Sequence, residues 1–257
     1  MLVADLLAVI EARAPAALAE EWDNVGLMVG RRERPVRRVL VALDLRAALL
    51  DEAADAGCDT VLTHHPPIFP ALAAVTGEAA PLVLRAAERR IAVIAAHTNL
   101  DSARGGLNDI MADVLGISET VALRPADADP GAGLGRAGTA ATGTLGELAR
   151  RVADNFPGPV AHTGDPDTPI TRVACCTGSG ASLIGDAAAA GAQAYVTGDL
   201  KYHDADRVLS PALVDVSHAT VEREVMRIWT DGLREDLAGD GVEARFARAD
   251  TDPWRSA

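Results

Sequence analysis

Aromatic residues are scarce in this chain of 257 amino acids. Phe, Trp and Tyr together make up 3% of the sequence, whereas apolar residues as a group make up 49%. That apolar share is typical of a globular protein, so we expect a core built mainly from Ala, Val, Leu and Ile. The length suits one large domain or two modest ones.

Long apolar runs and a basic N-terminal segment are also missing. No run approaches the roughly 20 apolar residues that cross a bilayer, which argues against membrane attachment. The chain begins Met1-Leu-Val-Ala-Asp5, an acidic start without the basic segment that opens a secretory signal peptide. We therefore predict a cytoplasmic protein.

Basic residues are outnumbered by acidic ones. The chain has 24 Lys and Arg against 37 Asp and Glu, which gives a formal net charge of -13. A field of that sign repels phosphate backbones and argues against general nucleic-acid binding. It leaves open a small anionic ligand at a local site.

Cysteine is limited to Cys58, Cys175 and Cys176. An odd number without a CxxC motif favours reduced, buried thiols over a disulfide framework. Cys175 and Cys176 lie in an apolar run, where small core residues are the expected interpretation.

Strand and helix patterns alternate along the chain, which predicts an α/β fold with a mostly parallel sheet. Unbroken apolar strands such as IAVIAA (91–96) suit a sheet that is covered on both faces. The predicted strands cover 36–45, 58–62, 91–96, 160–163, 172–177, 194–196, 212–216 and 242–247. The predicted helices cover 3–14, 47–56, 79–90, 103–115, 145–155, 181–190 and 219–237. The segment 126–143, rich in Gly, Ala, Asp and Thr, is predicted to be a boundary or an irregular crossover.

The first candidate site is the pair His64 and His65, which follows a strand and precedes two prolines. Adjacent side chains on a regular strand point to opposite faces. Such a pair suits two neighbouring metal ions better than one ion. Two exposed loop histidines are the alternative.

Two further clusters also follow apolar strands. His97 and Asp101 flank Thr-Asn-Leu, and Asp101 is either a metal ligand or the N-cap of the next helix. His218 and Glu222 lie four residues apart at a helix start, which puts both side chains on one helix face. That spacing offers two metal ligands from one turn, although any helix can carry it.

The combination is more specific than any one cluster. Three strand ends each supply His or Asp, and ligands in α/β folds gather at the carboxyl ends of strands. The mixed nitrogen and oxygen donors suit zinc, manganese, iron or nickel. Glu222 or Asp101 could bridge two ions, and a water shared by two such ions becomes hydroxide near neutral pH.

Three other motifs have alternative interpretations. Residues 133–138 fit GxGxxG, but they do not open a helix as a dinucleotide-binding loop must. Asp23 and Asn24 either form a turn or line the site. In 198–203, Lys201, Tyr202 and His203 either meet substrate or begin a helix that Asp199 caps.

The sequence resembles the Nif-three-like proteins, also called GTP cyclohydrolase I type 2 homologues. The matching stretches, in family order, are EEWDNVGLMVG (20–30), LTHHPPIF (62–69), AAHTNLDSARGGLND (95–109), GLGR (133–136), TGDLKYHDA (197–205) and DVSHATVE (215–222). The match departs from the family at Ser217 and Ala219, where a glycine and an aromatic are usual.

The resemblance implies two α/β domains, the second inserted into the first, with two divalent metal ions in the cleft between them. The domains would cover 1–125 plus 212–257 and, for the insertion, 126–211. The metal ligands would be His64, His65, Asp101, His218 and Glu222, with Glu222 as the bridge. His97 would lie behind the ligands or carry protons. The resemblance also implies a ring-shaped homohexamer.

Three functions are compatible with these residues. A metal-dependent hydrolase would use the bridging hydroxide against a phosphorus or a carbon such as C8 of a guanine nucleotide, with His97 or Glu222 moving protons. A binding or regulatory protein would use the metal for stability or ligand affinity without turnover. A plain scaffold would carry the clusters as solvated loops. We favour the hydrolase. Its expected ligand is a small molecule, and a nucleotide is one of the candidates.

Overall fold

Two β-sheets organise the chain, which a computed structural model describes over residues 1–141 and 143–254. The strands are β1 (Gly26–Val29), β2 (Arg38–Ala42), β3 (Thr60–Thr63), β4 (Ala92–Ala95), β5 (Ile117–Ala126), β6 (Asp129–Ala140), β7 (Val160–His162), β8 (Arg172–Ser179), β9 (Ala194–Gly198), β10 (Ala212–Val216) and β11 (Glu243–Phe246). The helices are α1 (Val3–Arg13), α2 (Ala47–Asp55), α3 (Pro81–Glu88), α4 (Thr98–Ser102), α5 (Leu107–Leu115), α6 (Leu145–Asn155), α7 (Ile184–Ala189), α8 (Tyr202–Arg207) and α9 (His218–Ala238). The predicted α/β class is confirmed.

The chain forms two compact units, residues 1–100 with 226–257 and residues 101–225. The boundaries lie inside α4 and inside α9. The expected division, 1–125 plus 212–257 against an inserted 126–211, stays a prediction, because compactness alone does not define an independently folding domain.

The first unit contains a five-stranded sheet in the order β1-β4-β3-β2-β11. Its four strands from β4 to β11 are parallel, and only the edge strand β1 is antiparallel to its neighbour. Every residue of β3 and β4 is buried, as expected for continuous apolar strands covered on both faces. The mostly parallel sheet is therefore confirmed in this unit.

Helices α2 and α3 supply the apolar cover of that sheet. Leu49 and Leu50 of α2 and Val83 of α3 belong to one buried cluster with Leu40 and Val93 of the strands. Pro81 takes the first position of α3, where its missing N–H is not needed.

The second unit contains a six-stranded sheet in the order β5-β6-β8-β9-β10-β7. Only β8, β9 and β10 are parallel to one another, and the remaining pairs are antiparallel. The expectation of a mostly parallel sheet is wrong here. The three parallel strands form the centre, and antiparallel strands complete both sides.

The segment 126–143 was expected to be a boundary or an irregular crossover, and the irregular crossover is wrong. Most of that segment is β6, which pairs with β5 as a hairpin and with β8 on its other side. A Cβ at Gly133 would lie 2.2 Å from the carbonyl oxygen of Arg124, so glycine permits the close approach of the two strands. The Gly-rich composition reflects that packing.

The predicted helix 103–115 starts later than expected. Helix α5 begins at Leu107 and ends at Leu115, and it is capped by Gly116, whose φ of 69° is left-handed. The preceding turn is a separate short helix, α4. The expected stop at Gly116 is confirmed.

Cys58, Cys175 and Cys176 are buried, as expected for small core residues. Within the part of the chain that the structure describes, no helix combines the length and the apolar character needed to cross a bilayer.

Candidate metal centre

The carboxyl ends of three parallel strands align in the first unit. Ala42 of β2 is paired with Thr63 of β3, which is paired with Ala95 of β4. The chain continues from these three ends into three polar segments, which contain Asp44, His64 with His65, and His97. The strand register therefore delivers these side chains to one edge of the sheet, as expected for α/β folds.

The structure brings His64, His65 and His97 together. Each offers one ring nitrogen, and these three nitrogens all lie within 4.8 Å of one another. His64 is fully buried, so the alternative of exposed loop histidines is wrong for it. The expected role of His97, either behind the ligands or as a proton carrier, stays a prediction, and both roles need the ring close to His64 and His65 as observed.

Backbone and carboxylate acceptors orient the adjacent histidines. The Nδ1 atom of His64 lies 2.9 Å from the carbonyl oxygen of Ala96, and Nδ1 of His65 lies 3.0 Å from Oδ1 of Asp44. A carbonyl only accepts, so Nδ1 of His64 carries the proton and Nε2 carries the lone pair. This tautomer, held through the other ring nitrogen, is the one that metal-binding histidines adopt.

Asp44 is a carboxylate in this setting. Burial favours its protonated form, but the hydrogen bond and the charge of His65 outweigh burial and lower the pKa of Asp44 below its ordinary value. The residue lies two positions beyond the end of β2. Asp44 falls within the predicted strand 36–45, and its acidic side chain at the end of an apolar run is the signal that points to it.

Asp23 holds His97 in the same way. Nδ1 of His97 lies 2.9 Å from Oδ1 of Asp23. The other carboxylate oxygen of Asp23 accepts from the backbone N–H and the hydroxyl of Thr98, and Oδ1 also accepts from the N–H of Asn24. Burial would raise the pKa of Asp23, but the His97 and Thr98 hydrogen bonds reverse that and hold it far below its usual range. Asp23 is thus a fixed negative charge behind His97.

The second unit also presents parallel strand ends. Cys175 of β8 and Val214 of β10 both pair with Val196 of β9, so the three strands run in register towards the same edge. Asp199 follows β9, and His218 follows β10 after one intervening residue. The strand-end rule therefore applies in both units.

His218 is held on both ring nitrogens. Its Nδ1 lies 2.8 Å from Oδ2 of Asp199, and its Nε2 lies 2.9 Å from Oε2 of Glu222, one turn along α9. The alternative role of Asp199 as a helix cap is wrong, because Lys201 occupies the N-cap of α8. Asp199 instead adopts a left-handed φ of 59° and pairs with His218.

The two acids set the charge of His218 in the metal-free protein. Burial favours the neutral ring, but hydrogen bonds and charges from Glu222 and Asp199 outweigh burial and raise the pKa of His218 to about 9. The ring is therefore an imidazolium near neutral pH. A divalent cation that binds Nε2 must displace that proton.

A glycine leaves room for the Glu222 carboxylate. Glu222 is buried, and a Cβ at Gly178 would lie 2.5 Å from its Oε1. Gly178 also has a left-handed φ of 64°, which disfavours other residues. The backbone of β8 can therefore pass directly beside the carboxylate.

Asp101 lies within α4 and does not cap the following helix, so the N-cap alternative is wrong. Its Oδ1 accepts a hydrogen bond of 2.8 Å from the hydroxyl of Thr177, and its carbonyl oxygen accepts from the amide of Asn108. Asn108 in turn accepts from the N–H of Thr177. These three buried residues hold the Asp101 carboxylate in place, and no sequence motif points to Thr177.

The remaining motifs have structural positions. The GxGxxG stretch 133–138 lies inside β6, which agrees with the prediction against a dinucleotide-binding loop. Lys201, Tyr202 and His203 lie on the exposed start of α8.

In each unit taken by itself, the donors are of the kind that divalent metals bind. Four histidines each have Nδ1 engaged by a carbonyl or carboxylate oxygen, and three of their Nδ1 partners are acids. Carboxylate–histidine pairs of this kind orient metal ligands and raise their basicity. The absence of thiolates from the donor set suits zinc, manganese, iron or nickel.

Comparison with known proteins identifies the family. The sequence model of Duf34/NIF3 (NGG1p interacting factor 3) matches residues 1–253. The chain belongs to this family. The resemblance drawn from the motifs is thereby confirmed.

Relatives of this family member match most of its length. A protein of Clostridium perfringens named GTP cyclohydrolase 1 type 2 homolog is 31% identical over 97% of both chains. A protein of the same name from Streptococcus pneumoniae is 36% identical over 83% of both chains. The crystal structure of a Bacillus cereus protein related to NIF3 matches all of this chain and 99% of its own, with a TM-score of 0.91 and 25% identity.

Proposed function

We propose that this family member is a divalent-metal-dependent hydrolase, similar to a GTP cyclohydrolase. The proposed metal ligands are His64, His65, Asp101, His218 and Glu222, which together would hold two ions. The observation that carries the proposal is that each of the three proposed histidine ligands is anchored through Nδ1, which leaves Nε2 as the ring nitrogen for a metal.

Divalent ions bound there supply Lewis-acid chemistry and lower the pKa of a coordinated water to near neutrality. Zinc, manganese, iron and nickel are the candidates, because imidazole and carboxylate donors suit all four. Glu222 is the proposed bridge between the ions. Gly178 leaves Oε1 of Glu222 space beside β8, which supports a ligand role for this carboxylate.

His97 is the proposed proton carrier. Asp23 accepts from Nδ1 of His97, so Nε2 is the atom that takes a proton from the attacking water. The resulting imidazolium is stabilised by the buried Asp23 carboxylate, which stays ionised. The same ring can then donate the proton to the leaving group, as a general acid and base does.

A metal-stabilised binding or regulatory protein is the second candidate. It is favoured by the way the anchors join distant segments: the Asp23–His97 pair spans 74 positions and the Asp44–His65 pair spans 21. Ions on these histidines would stabilise the fold without any turnover.

An activity assay separates the two candidates. Metal-loaded wild type is tested against GTP and a panel of phosphoesters, beside Glu222→Gln and the control Glu243→Gln, which changes an exposed carboxylate at the start of β11. The hydrolase proposal predicts turnover that Glu222→Gln abolishes and Glu243→Gln retains. If wild type turns over none of these substrates while metal raises its melting temperature, the binding role is correct and the hydrolase proposal is wrong.

The assembly and the ligand are further proposals. The family resemblance favours a homohexamer, which light scattering of the purified protein tests directly. The name of the relatives favours a nucleotide ligand. A cytoplasmic location stays a prediction.

A further inference from the structure

Two of the few aromatic side chains remain exposed next to each other. The chain has three Trp, two Tyr and three Phe, yet Trp22 is 58% exposed and Phe69 is 48% exposed. Burying an aromatic ring is among the largest apolar gains available to a fold. Two such rings left in contact at the surface indicate a surface that binds something.

The rings are arranged around His97. The centroids of Trp22 and Phe69 lie 5.7 Å apart with their planes tilted by 55°. The ring of His97 lies 6.2 Å from Trp22 and 6.5 Å from Phe69, nearly perpendicular to both. The tilt leaves the three rings as an open aromatic notch, formed by Trp22, Phe69 and His97, and not as a closed stack.

Hydrogen bonds fix the two segments that carry the notch. The side-chain amide of Asn24, two residues after Trp22, donates to the carbonyl oxygen of Ile68, the residue before Phe69, over 2.6 Å. Asp23 holds His97 between them. The rings are therefore set in place before any ligand arrives, which lowers the entropic cost of binding.

The notch adjoins the metal-binding histidines. The ring of His97 lies 5.1 Å from that of His64 and 5.5 Å from that of His65. A flat ring resting on Trp22 thus brings its substituents next to the proposed metal ligands. An aliphatic phosphoester would use none of this aromatic surface, whereas a planar heterocycle stacks on it.

We propose that the aromatic notch stacks the planar heteroaromatic ring of a small-molecule substrate and so restricts the substrate class. The proposal rests on the proposed function, because the stacked ring is positioned for chemistry at the adjacent histidines. Trp22 supplies the face on which the substrate ring stacks, and Phe69 borders one side of that face. His97 lies between the aromatic rings and the proposed metal ligands His64 and His65.

Indole fluorescence tests the notch without any need for turnover. The background is Trp254→Phe, which removes the exposed tryptophan at the C-terminal end and leaves Trp22 and the buried Trp229. Guanosine monophosphate is the ring-bearing probe, and ribose 5-phosphate is the matched probe without a ring. We expect saturable quenching by guanosine monophosphate only. In Trp22→Ala, isothermal titration calorimetry should show affinity weakened by about tenfold or more, whereas Trp22→Phe should restore it to within a few-fold.

Three results would overturn the notch. The first is that guanosine monophosphate binds wild type and Trp22→Ala with equal affinity. The second is that wild type binds both probes with equal affinity. The third is that the oligomeric mass of Trp22→Ala differs from that of wild type. The last would show that a second copy of the chain covers the rings. Elemental analysis of the same samples keeps the two proposals apart: normal metal content with failed stacking refutes the notch alone, and a metal-free wild type refutes the metal site.

Discussion

The Nδ1 atom of His97 lies 2.9 Å from the carboxylate of Asp23, although the two residues are 74 positions apart in the sequence. The Asp23 side chain has no exposed surface, and all of its hydrogen-bond partners lie at the end of β4 or in its own loop. This pair therefore fastens the loop before β1 to the histidine cluster and sets the direction of the His97 ring.

Replacing Asp23 by Asn should destabilise the protein and disturb His97 together. The substitution removes the charge that accepts from His97 and Thr98, and charge-assisted hydrogen bonds of this kind contribute about 2 kcal/mol each. We expect the free energy of unfolding, measured in urea, to fall by about 2 kcal/mol or more. Asp55→Asn, an exposed position on α2, is the control and should change it by less than about 0.5 kcal/mol. Equal unfolding curves for Asp23→Asn and wild type would refute the anchoring role.

Replacing Asp44 by Asn should weaken metal binding more than it weakens the fold. Asp44 touches no proposed ion but holds His65 through Nδ1, and loss of such a partner typically costs about tenfold to hundredfold in metal affinity. Competition with a fluorescent zinc chelator measures the affinity. The same Asp55→Asn protein is the control. An unchanged zinc affinity would mean that His65 is not a ligand or that Asp44 does not orient it.

Replacing Gly178 by Ala should perturb Glu222. The new Cβ would lie 2.5 Å from Oε1 of Glu222 and would impose a left-handed φ of 64°, a conformation that costs about 1 kcal/mol or more outside glycine. Gly185→Ala is the matched control, because Gly185 lies in α7 with open space around it. We expect lower metal content in Gly178→Ala and normal content in Gly185→Ala. Normal metal content in both variants would show that metal binding does not depend on the observed position of the Glu222 carboxylate.

The metal-free protein should lose stability at alkaline pH through His218. Its pKa in the folded protein is about 9, above the ordinary value of 6.5, because Glu222 and Asp199 outweigh burial. The stability that His218 contributes is complete below about pH 6.5, where the ring is protonated in both the folded and the unfolded chain. It is lost as the pH rises through about 9, because the folded chain then releases the extra proton that it had kept on His218. Urea unfolding of chelator-treated wild type and His218→Gln should therefore differ most near pH 6 and least near pH 10. A difference that stays constant across this range would contradict the assignment.

The proximity of His64 and His97 could be predicted from the sequence because both residues follow apolar strands. The runs before His64 and His97 fix both the strands and the points where they end, so their common edge could be predicted. The partners of the histidines were harder to find. The sequence is compatible with Asp23 in a turn and with Asp199 as a helix cap, because Asp is favoured in both settings. Only the tertiary contacts with His97 and His218 identify these two residues as histidine partners.

The hairpin of β5 and β6 shows the limit of composition as a guide. Its glycines predicted an irregular segment, whereas Gly133 lies in a strand because a neighbouring carbonyl comes too close for any side chain. Such a requirement depends on the partner strand, so no local pattern contains it. The antiparallel strands at the sides of the second sheet were missed for the same reason.

The metal content of the purified protein tests the central claim most directly. After dialysis against metal-free buffer, elemental analysis should find about two ions of zinc, manganese, iron or nickel per wild-type chain. It should find less than half of that in the double variant His64→Ala/His218→Ala, with Asp55→Asn at the wild-type level. A wild-type chain that holds no metal, even after incubation with each of these ions, would contradict the account.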